Sequence, residues 1–238
     1  MMESSKDILL PNLLLMLFPV AIVAMIYVKW SLNVRTLYYA SARMVVQLIV
    51  VGYALVLVFE QETALVPCLV LVMMLLVSSW IALRPIHALR RQLYTRSLLA
   101  IAIGGVPILA LVVVGVVQLR PWYTPKYLIP LAGMIFANAM NSVSLCAERY
   151  HSERESGKPY ITARDAAYKA ALIPLINSFF AVGLVSLPGM MTGQILAGVS
   201  PLLAVRYQMM VMCMLLGASG IASAVFLTLM KGEDTDRA

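Results

Sequence analysis

The feature that most constrains this chain is its series of long apolar runs, at about 8–28, 43–59, 63–83, 97–119, 128–148, 170–188 and 207–230. Each is close to the ~20 residues that a helix needs to cross about 30 Å of hydrocarbon. Of the 238 residues, 62% are hydrophobic and 12% charged, where a soluble domain carries roughly 45–50% and about 25%. So large an apolar excess has no water-soluble hiding place. The expected fold is therefore an all-α, polytopic transmembrane bundle of about seven spans in one domain over 1–238, with little chain left for a second globular domain. Soluble enzymes and secreted disulfide scaffolds are excluded. Cys68, Cys146 and Cys213 each lie in an apolar stretch and read as small buried hydrophobes, not as a disulfide framework.

Charge gives the orientation. With the N-terminus outside, 14 of the 18 lysines and arginines fall in inside loops, from Lys29 to Lys231 and Arg237, and four fall outside. That bias predicts an N-out, C-in arrangement. The formal net charge of +7 is then topology and contact with lipid headgroups, and no nucleic-acid partner is expected. Trp30, Trp80, Trp122, Tyr123 and Tyr127 stand at or near predicted span ends, where amphipathic rings anchor. The leader carries Glu3 and Asp7 against Lys6, and the first apolar run exceeds the core of a signal peptide, so that span is expected to be retained.

Two regions depart from plain apolar helix. The segment 186–201 contains Pro188, Gly189, Gly193, Gly198 and Pro201, which no continuous helix accommodates comfortably. With Met190, Met191, Thr192 and Gln194, it is a candidate re-entrant or gate element before the last span. The alternative is an external loop with one short surface helix.

The fifth span places Met134, Asn138, Asn141, Ser142 and Glu148 within an arc of about 120°. Such a face avoids lipid, and it either lines a translocation path with Glu148 near the cytoplasmic mouth or hydrogen-bonds to neighbouring helices. Asn177 and Ser178 follow Pro174 in the sixth span. They are placed to satisfy backbone freed by the proline or to join the path.

Arg43 and Gln47 share one helix face near the cytoplasmic interface, where Arg43 can snorkel. The alternation of Met209, Met210, Met212 and Met214 throws their sulfurs around the helix and points to packing. Small residues from Gly217 to Ala224 offer a close-packing face on the last span. The sequence has no G-x-x-x-x-G-K-[ST], H-E-x-x-H or G-x-S-x-G motif. His87 and His151 both fall in charged inside loops, and no metal ligand set is assigned.

Several stretches carry a family resemblance: Arg43-Met-Val-Val-Gln-Leu-Ile-Val-Val-Gly-Tyr53, Ile129-Pro-Leu-Ala-Gly-Met-Ile-Phe-Ala-Asn-Ala-Met-Asn141, Ala171-Leu-Ile-Pro-Leu-Ile-Asn177, Val182 to Gly198 with its Leu-Pro-Gly-Met-Met-Thr-Gly core, and Ala204-Val-Arg-Tyr-Gln208. Over nearly the whole chain it resembles the FetB-type permeases of ABC transporters, whose members are linked to iron export and aluminium tolerance. The resemblance implies a half-transporter permease of the bacterial inner membrane that acts as a homodimer with a cognate ATP-binding subunit. That subunit would hold ATP and Mg, and this chain would bind no cofactor. Members of the family carry a longer inside loop between spans five and six that looks like a coupling helix. Here Gly157, Lys158 and Pro159, with Thr162 as N-cap of a helix through Arg164 and Asp165, are the corresponding coupling candidates. Composition alone leaves open an ATP-independent transporter or channel using Glu148, and a non-transporting membrane scaffold.

Overall fold

The computed structural model of the protein describes residues 9–60 and 63–231. Glu3, Lys6, Asp7 and Arg237 of the topology argument lie outside the described residues, as does the first residue of the 8–28 span. The chain divides into two compact units, Met1–Glu60 and Gln61–Ala238.

The first unit is a helical hairpin. A short helix α1 (Leu10–Leu14) leads into α2 (Leu17–Lys29), and α3 (Val34–Phe59) returns. The turn uses Ser31 at φ 55°. No residue of α3 is buried, and in α2 only Ala24 is. An apolar helix exposed around its circumference needs lipid or protein as its surroundings. Helix α3 begins nine residues before the expected 43, because nothing between Val34 and Arg43 breaks a helix. Arg35 and Arg43 both stand on it, exposed.

The second unit contains α4 (Leu65–Ala82), α5 (Arg90–Ala110), α6 (Pro125–Glu155), α7 (Tyr160–Ala181), α8 (Gly189–Leu196) and α9 (Pro201–Met230). Helix α5 continues into a π-helical turn, Leu111–Val116. Side-chain contacts fix the directions. Ser97 of α5 donates to the Ser79 carbonyl of α4 at 3.1 Å, and Arg96 near the start of α5 reaches Met230 at the end of α9. Tyr160 at the start of α7 donates to the Leu227 carbonyl at 2.9 Å, whereas Phe179 near the end of α7 shares a cavity with Val205 and Gln208. Helices α4 and α9 therefore run one way, with α5 and α7 antiparallel to them, and the short connection at 156–159 turns α7 back along α6.

The closest approach is between α5 and α9. A β-carbon at Gly104 would stand 2.6 Å from the Ala222 amide nitrogen, so these two backbones touch over Ala218 and Ala222. The small-residue face of the last span is thus a packing face within the chain, formed as small-xxx-small spacing allows. Around it lies the core, with Leu93, Ile101, Ile135, Val143 and Phe226 fully buried.

Among the described residues, six helices are long and apolar enough to cross a membrane: Pro11–Lys29, Val34–Phe59, Leu65–Ala82, His87–Val116, Pro125–Glu155 and Pro201–Met230. The expected span at 170–188 is the exception. Its helix, α7, starts at Tyr160 and stops at Ala181, and Arg164, Asp165 and Lys169 occupy its first turns. Yet α7 is 22 residues long, about 33 Å at 1.5 Å per residue. It runs beside α9 from the level of Leu227 to that of Val205, and so spans the same thickness as its neighbours. With the six candidate spans, Pro11–Lys29 among them, that makes seven helical segments of membrane-crossing length among the described residues.

The stop at Ala181 has a local cause. Val182 is extended and Gly183 takes φ +84°. The Ala181 carbonyl then accepts from Val185 and Ser186, closing a tight reverse loop.

Candidate functional site

The polar face of α6 divides between two places. Asn138, Asn141 and Ser142 line a cleft of about 120 Å³ against Ala171, Pro174, Leu175 and Ser178 of α7. Helices α6 and α7 form an antiparallel pair joined by a four-residue elbow, which sets these two faces opposite each other. Ser142 is buried, Asn138 half-buried and Asn141 exposed, so the cleft opens on the Asn141 side. Asn138 Nδ2 donates to the Met134 carbonyl at 2.9 Å, and Ser178 Oγ to the Pro174 carbonyl at 2.9 Å. Ser178 therefore does not serve the carbonyl that Pro174 leaves free, which belongs to Ala170 one turn earlier. With its hydroxyl proton committed to the helix, it presents lone pairs to the cleft.

Glu148 and Asn177 are exposed and do not line this cleft. Glu148 lies nearly two turns beyond Ser142, past the last lining residue, Leu145. Asn177 is absent from the lining, to which its neighbour Ser178 contributes.

Met134 belongs to a second cavity, of about 250 Å³, with Tyr127, Leu131, Met190, Gln194, Tyr207 and Met210. Its walls are the first turns of α6, the start of α9 and α8. A third cavity, of about 440 Å³, lies between the end of α7 and α9, with Met191, Gln208, Met209 and Cys213 in its lining. Adjacent residues of α8 thus serve opposite sides, Met190 in one cavity and Met191 in the other. The 186–201 segment is thus a loop carrying one short helix, the alternative offered by the sequence: eight residues with none buried, set between two cavities.

The breaks in this segment follow from its residues. Pro188 precedes the first turn, and Gly198 ends α8 at φ +86°. There Gly198 N–H donates to the Ile195 carbonyl and Val199 N–H to the Gln194 carbonyl, the paired bonds of a Schellman C-cap. Thr192 hydroxyl reaches the Leu187 carbonyl at 3.5 Å, and Gly189 and Gly193 are exposed. Two glutamines in and beside this segment are unsatisfied among the described residues: Oε1 of Gln194 and of Gln208 is buried with no hydrogen-bond partner.

The 149–169 connection is not an open loop. Helix α6 continues to Glu155, because Arg149 and Glu153 pair one turn apart and no breaker precedes Gly157. Gly157, at φ +79°, closes α6 with a second Schellman cap. Lys158 Nζ stands 2.5 Å from Glu153, and its carbonyl accepts from Arg154 at 2.7 Å. Glu153 is buried between Arg149 and Lys158. Pro159 holds the N-cap position of α7 at ψ 156°, with no side-chain cap bond. Thr162 lies inside the first turn, so the expected N-cap is corrected by three residues: the proline fixes the chain direction before Thr162 is reached. Arg164, half-buried, and Asp165, exposed, pair at 2.8 Å.

Beside this elbow, the turn between α4 and α5 brings together two residues that are far apart in the chain. His87 and His151 line a cleft of about 240 Å³ with Glu155, Pro85, Ile86, Ala88 and Leu89. Sequence reasoning placed both histidines on the inside without foreseeing their meeting. Gln208 and Met210 were likewise missed as cavity residues, since only tertiary packing turns them inward. Among the described residues, no group of three His, Cys, Asp or Glu is close enough to hold a metal ion.

These features define a multi-pass helical membrane protein of the bacterial inner-membrane kind, with a polar cleft and two sulfur-lined cavities among its packed helices. The chain belongs to the family described as "Uncharacterised protein family (UPF0014)", which matches residues 10–164 and 160–233. It is 38% identical over 195 residues to the UPF0014 membrane protein slr1647 of Synechocystis, covering 76% of this chain and 75% of that protein. It is 34% identical to the "Probable iron export permease protein FetB" of Escherichia coli, over 92% of this chain and 89% of that one. Protein ALUMINUM SENSITIVE 3 of Arabidopsis thaliana is 32% identical, over 78% and 72%. No solved structure matches the chain.

Proposed function

We propose that the chain is the permease subunit of an ABC-type exporter that moves a metal ion, iron first, or a small solute across the inner membrane. Two copies would work with two copies of a separate ATP-binding subunit, which would bind ATP and Mg and hydrolyse the nucleotide. The observation that carries this reading is the 34% identity, over 92% of the chain, to a protein named as a probable iron export permease. The absence of a P-loop from the sequence agrees with ATP hydrolysis in a partner, and with a transport protein, not an enzyme.

The architecture supports the same reading. A cleft between antiparallel α6 and α7 can open and close by rigid-body movement of the helices, the common form of alternating access. Its amide and hydroxyl groups can replace part of the hydration shell of a passing solute. At the cytoplasmic end, the capped elbow at 156–159 would pass force directly into both helices, because each leaves it without slack. The Arg164–Asp165 pair and the cleft beside His87 would be the contact points for such a subunit.

The test is co-purification. The tagged permease, expressed with the ATP-binding protein encoded beside it and extracted in mild detergent, should form a stable complex whose ATPase rate depends on the permease. A folded permease that binds no such partner would overturn the ABC reading and make ion flux in ATPase-free liposomes the next measurement.

A further inference from the structure

We propose that the exposed side of α4 and the turn that follows it form a binding site for one anionic phospholipid, with its acyl chains along α4 and its phosphate held by Arg84 and Arg91. The apolar half of the site is a stripe. Leu69, Val72, Met73, Leu76, Val77 and Trp80 fall within an arc of about 140°, and all six are exposed. The opposite face of α4 buries Pro67, Ser78 and Ala82. From Leu69 to Trp80 the helix rises roughly 16 Å at 1.5 Å per residue. That is close to half of the ~30 Å hydrocarbon thickness, and so to the reach of the acyl chains of one leaflet.

The charged half lies at the end of that stripe. Arg90 Nε donates to the Trp80 carbonyl at 2.8 Å, the guanidinium carbon stands 3.9 Å from the centre of the Trp80 ring, and Tyr94 meets the same ring edge-on at 5.7 Å. These contacts hold one arginine charge at the level of an interfacial tryptophan, where headgroups begin. Arg84, just past the end of α4, and Arg91, in the first turn of α5, are exposed and have no ion-pair partner among the described residues. The stretch 84–96 carries Arg84, Arg90, Arg91 and Arg96 and no Asp or Glu, whereas the 149–169 connection sets three acids against its five cations. An uncompensated arginine cluster beside a membrane-spanning helix attracts anionic headgroups, and the guanidinium fork matches the oxygens of a phosphate.

Two other occupants fit less well. A second copy seated on the stripe about a two-fold axis normal to the membrane would bring two acid-free arginine turns to the same level and set like charges against each other. An acidic loop of a partner would match the arginines and leave the apolar stripe uncovered. The cleft of His87, His151 and Glu155 has none of Arg84, Arg90 and Arg91 in its lining. Lipid binding on α4 is therefore separate from the contact proposed for an ATP-binding subunit, and independent of the transport reading.

The test uses the full-length chain with Trp30→Phe and Trp122→Phe, which leaves Trp80 as its single tryptophan. The protein is reconstituted in phosphatidylcholine vesicles, part of whose lipid is replaced by brominated phosphatidylglycerol or by brominated phosphatidylcholine, and quenching of Trp80 reports which lipid sits on the stripe. Phosphatidylglycerol should be preferred by about tenfold or more. Arg84→Gln and Arg91→Gln should each lower that preference by about fivefold, the worth of one arginine near an anionic surface, and together bring it near parity. Both residues are exposed, so the variants should keep their helicity; the single variants carry the test if the double one does not fold. The same charge change made with Arg35→Gln and Lys169→Gln should leave the preference unchanged. Equal quenching by the two lipids, a preference that survives the double variant, or one lost as readily in the Arg35 and Lys169 control would overturn the proposal. So would quenching by neither lipid, which would mean that protein covers the stripe, or a preference abolished by millimolar inorganic phosphate, which would mean a site for a soluble anion.

Discussion

Replacing Gly104 by alanine is the sharpest probe of how this bundle is held together. The added β-carbon would lie 2.6 Å from the Ala222 amide nitrogen and 2.8 Å from the Ala218 carbonyl oxygen. Ordinary contact begins at 3.4 Å, so α5 and α9 must separate by roughly 0.8 Å. Both clashing atoms are backbone, and no rotamer change relieves them. Overpacking of this kind costs about 1–3 kcal/mol, partly masked by the ~1 kcal/mol that alanine gains over glycine inside a helix. Gly133→Ala supplies the control. Its β-carbon would meet only the Met74 methyl, at 3.3 Å, at the end of a side chain that can move aside. The helix-propensity gain is common to both variants, so Gly104→Ala should be less stable than Gly133→Ala by about 1–3 kcal/mol. The assay is reversible unfolding in mixed micelles, followed by circular dichroism. Equal stabilities within about 0.5 kcal/mol would refute the claim that the α5 and α9 backbones are in direct contact.

Three further outcomes follow from the site and its elbow. Asn138→Leu should impair export by a membrane-inserted permease, because it fills the cleft of about 120 Å³ with an apolar side chain, whereas Glu148→Gln, outside that cleft, should leave export intact; whole-cell efflux of the transported metal reads both. Charge reversal at Arg164 or Asp165 should lower permease-dependent ATP turnover without lowering membrane expression, since both side chains of this pair reach the surface; unchanged turnover in both variants removes it from the coupling path. Gly157→Ala forces a β-carbon into φ +79° and should cost about 1–2 kcal/mol, seen as a lower unfolding midpoint, and Gly198→Ala at φ +86° should behave alike.

The reading of the chain as a membrane bundle needed no coordinates, because each apolar run is a local property that a helix in lipid must match in length. The polar stripe on α6 was legible for the same reason: Asn138, Asn141 and Ser142 follow from helical periodicity. Periodicity could not say what the stripe faces. It grouped Met134 and Glu148 with the amides, whereas the antiparallel packing of α7 covers only the middle of the stripe and leaves Met134 to α8 and α9. Span six was misplaced at both ends because hydropathy registers Arg164, Asp165 and Lys169 as loop, although the capped elbow makes them the first turns of a helix.

Legible along the chain, then, was what depends on neighbouring residues: membrane residence, the approximate number of apolar spans and the Gly-Pro punctuation. The tertiary structure alone decided which side chains meet. The closeness of Gly104 to Ala222, the meeting of His87 with His151, and the convergence of Met134, Met190 and Met210 each join residues from different helices. Such contacts are set by the direction and rotation of whole helices, and a one-dimensional pattern carries no record of them until the helices are packed.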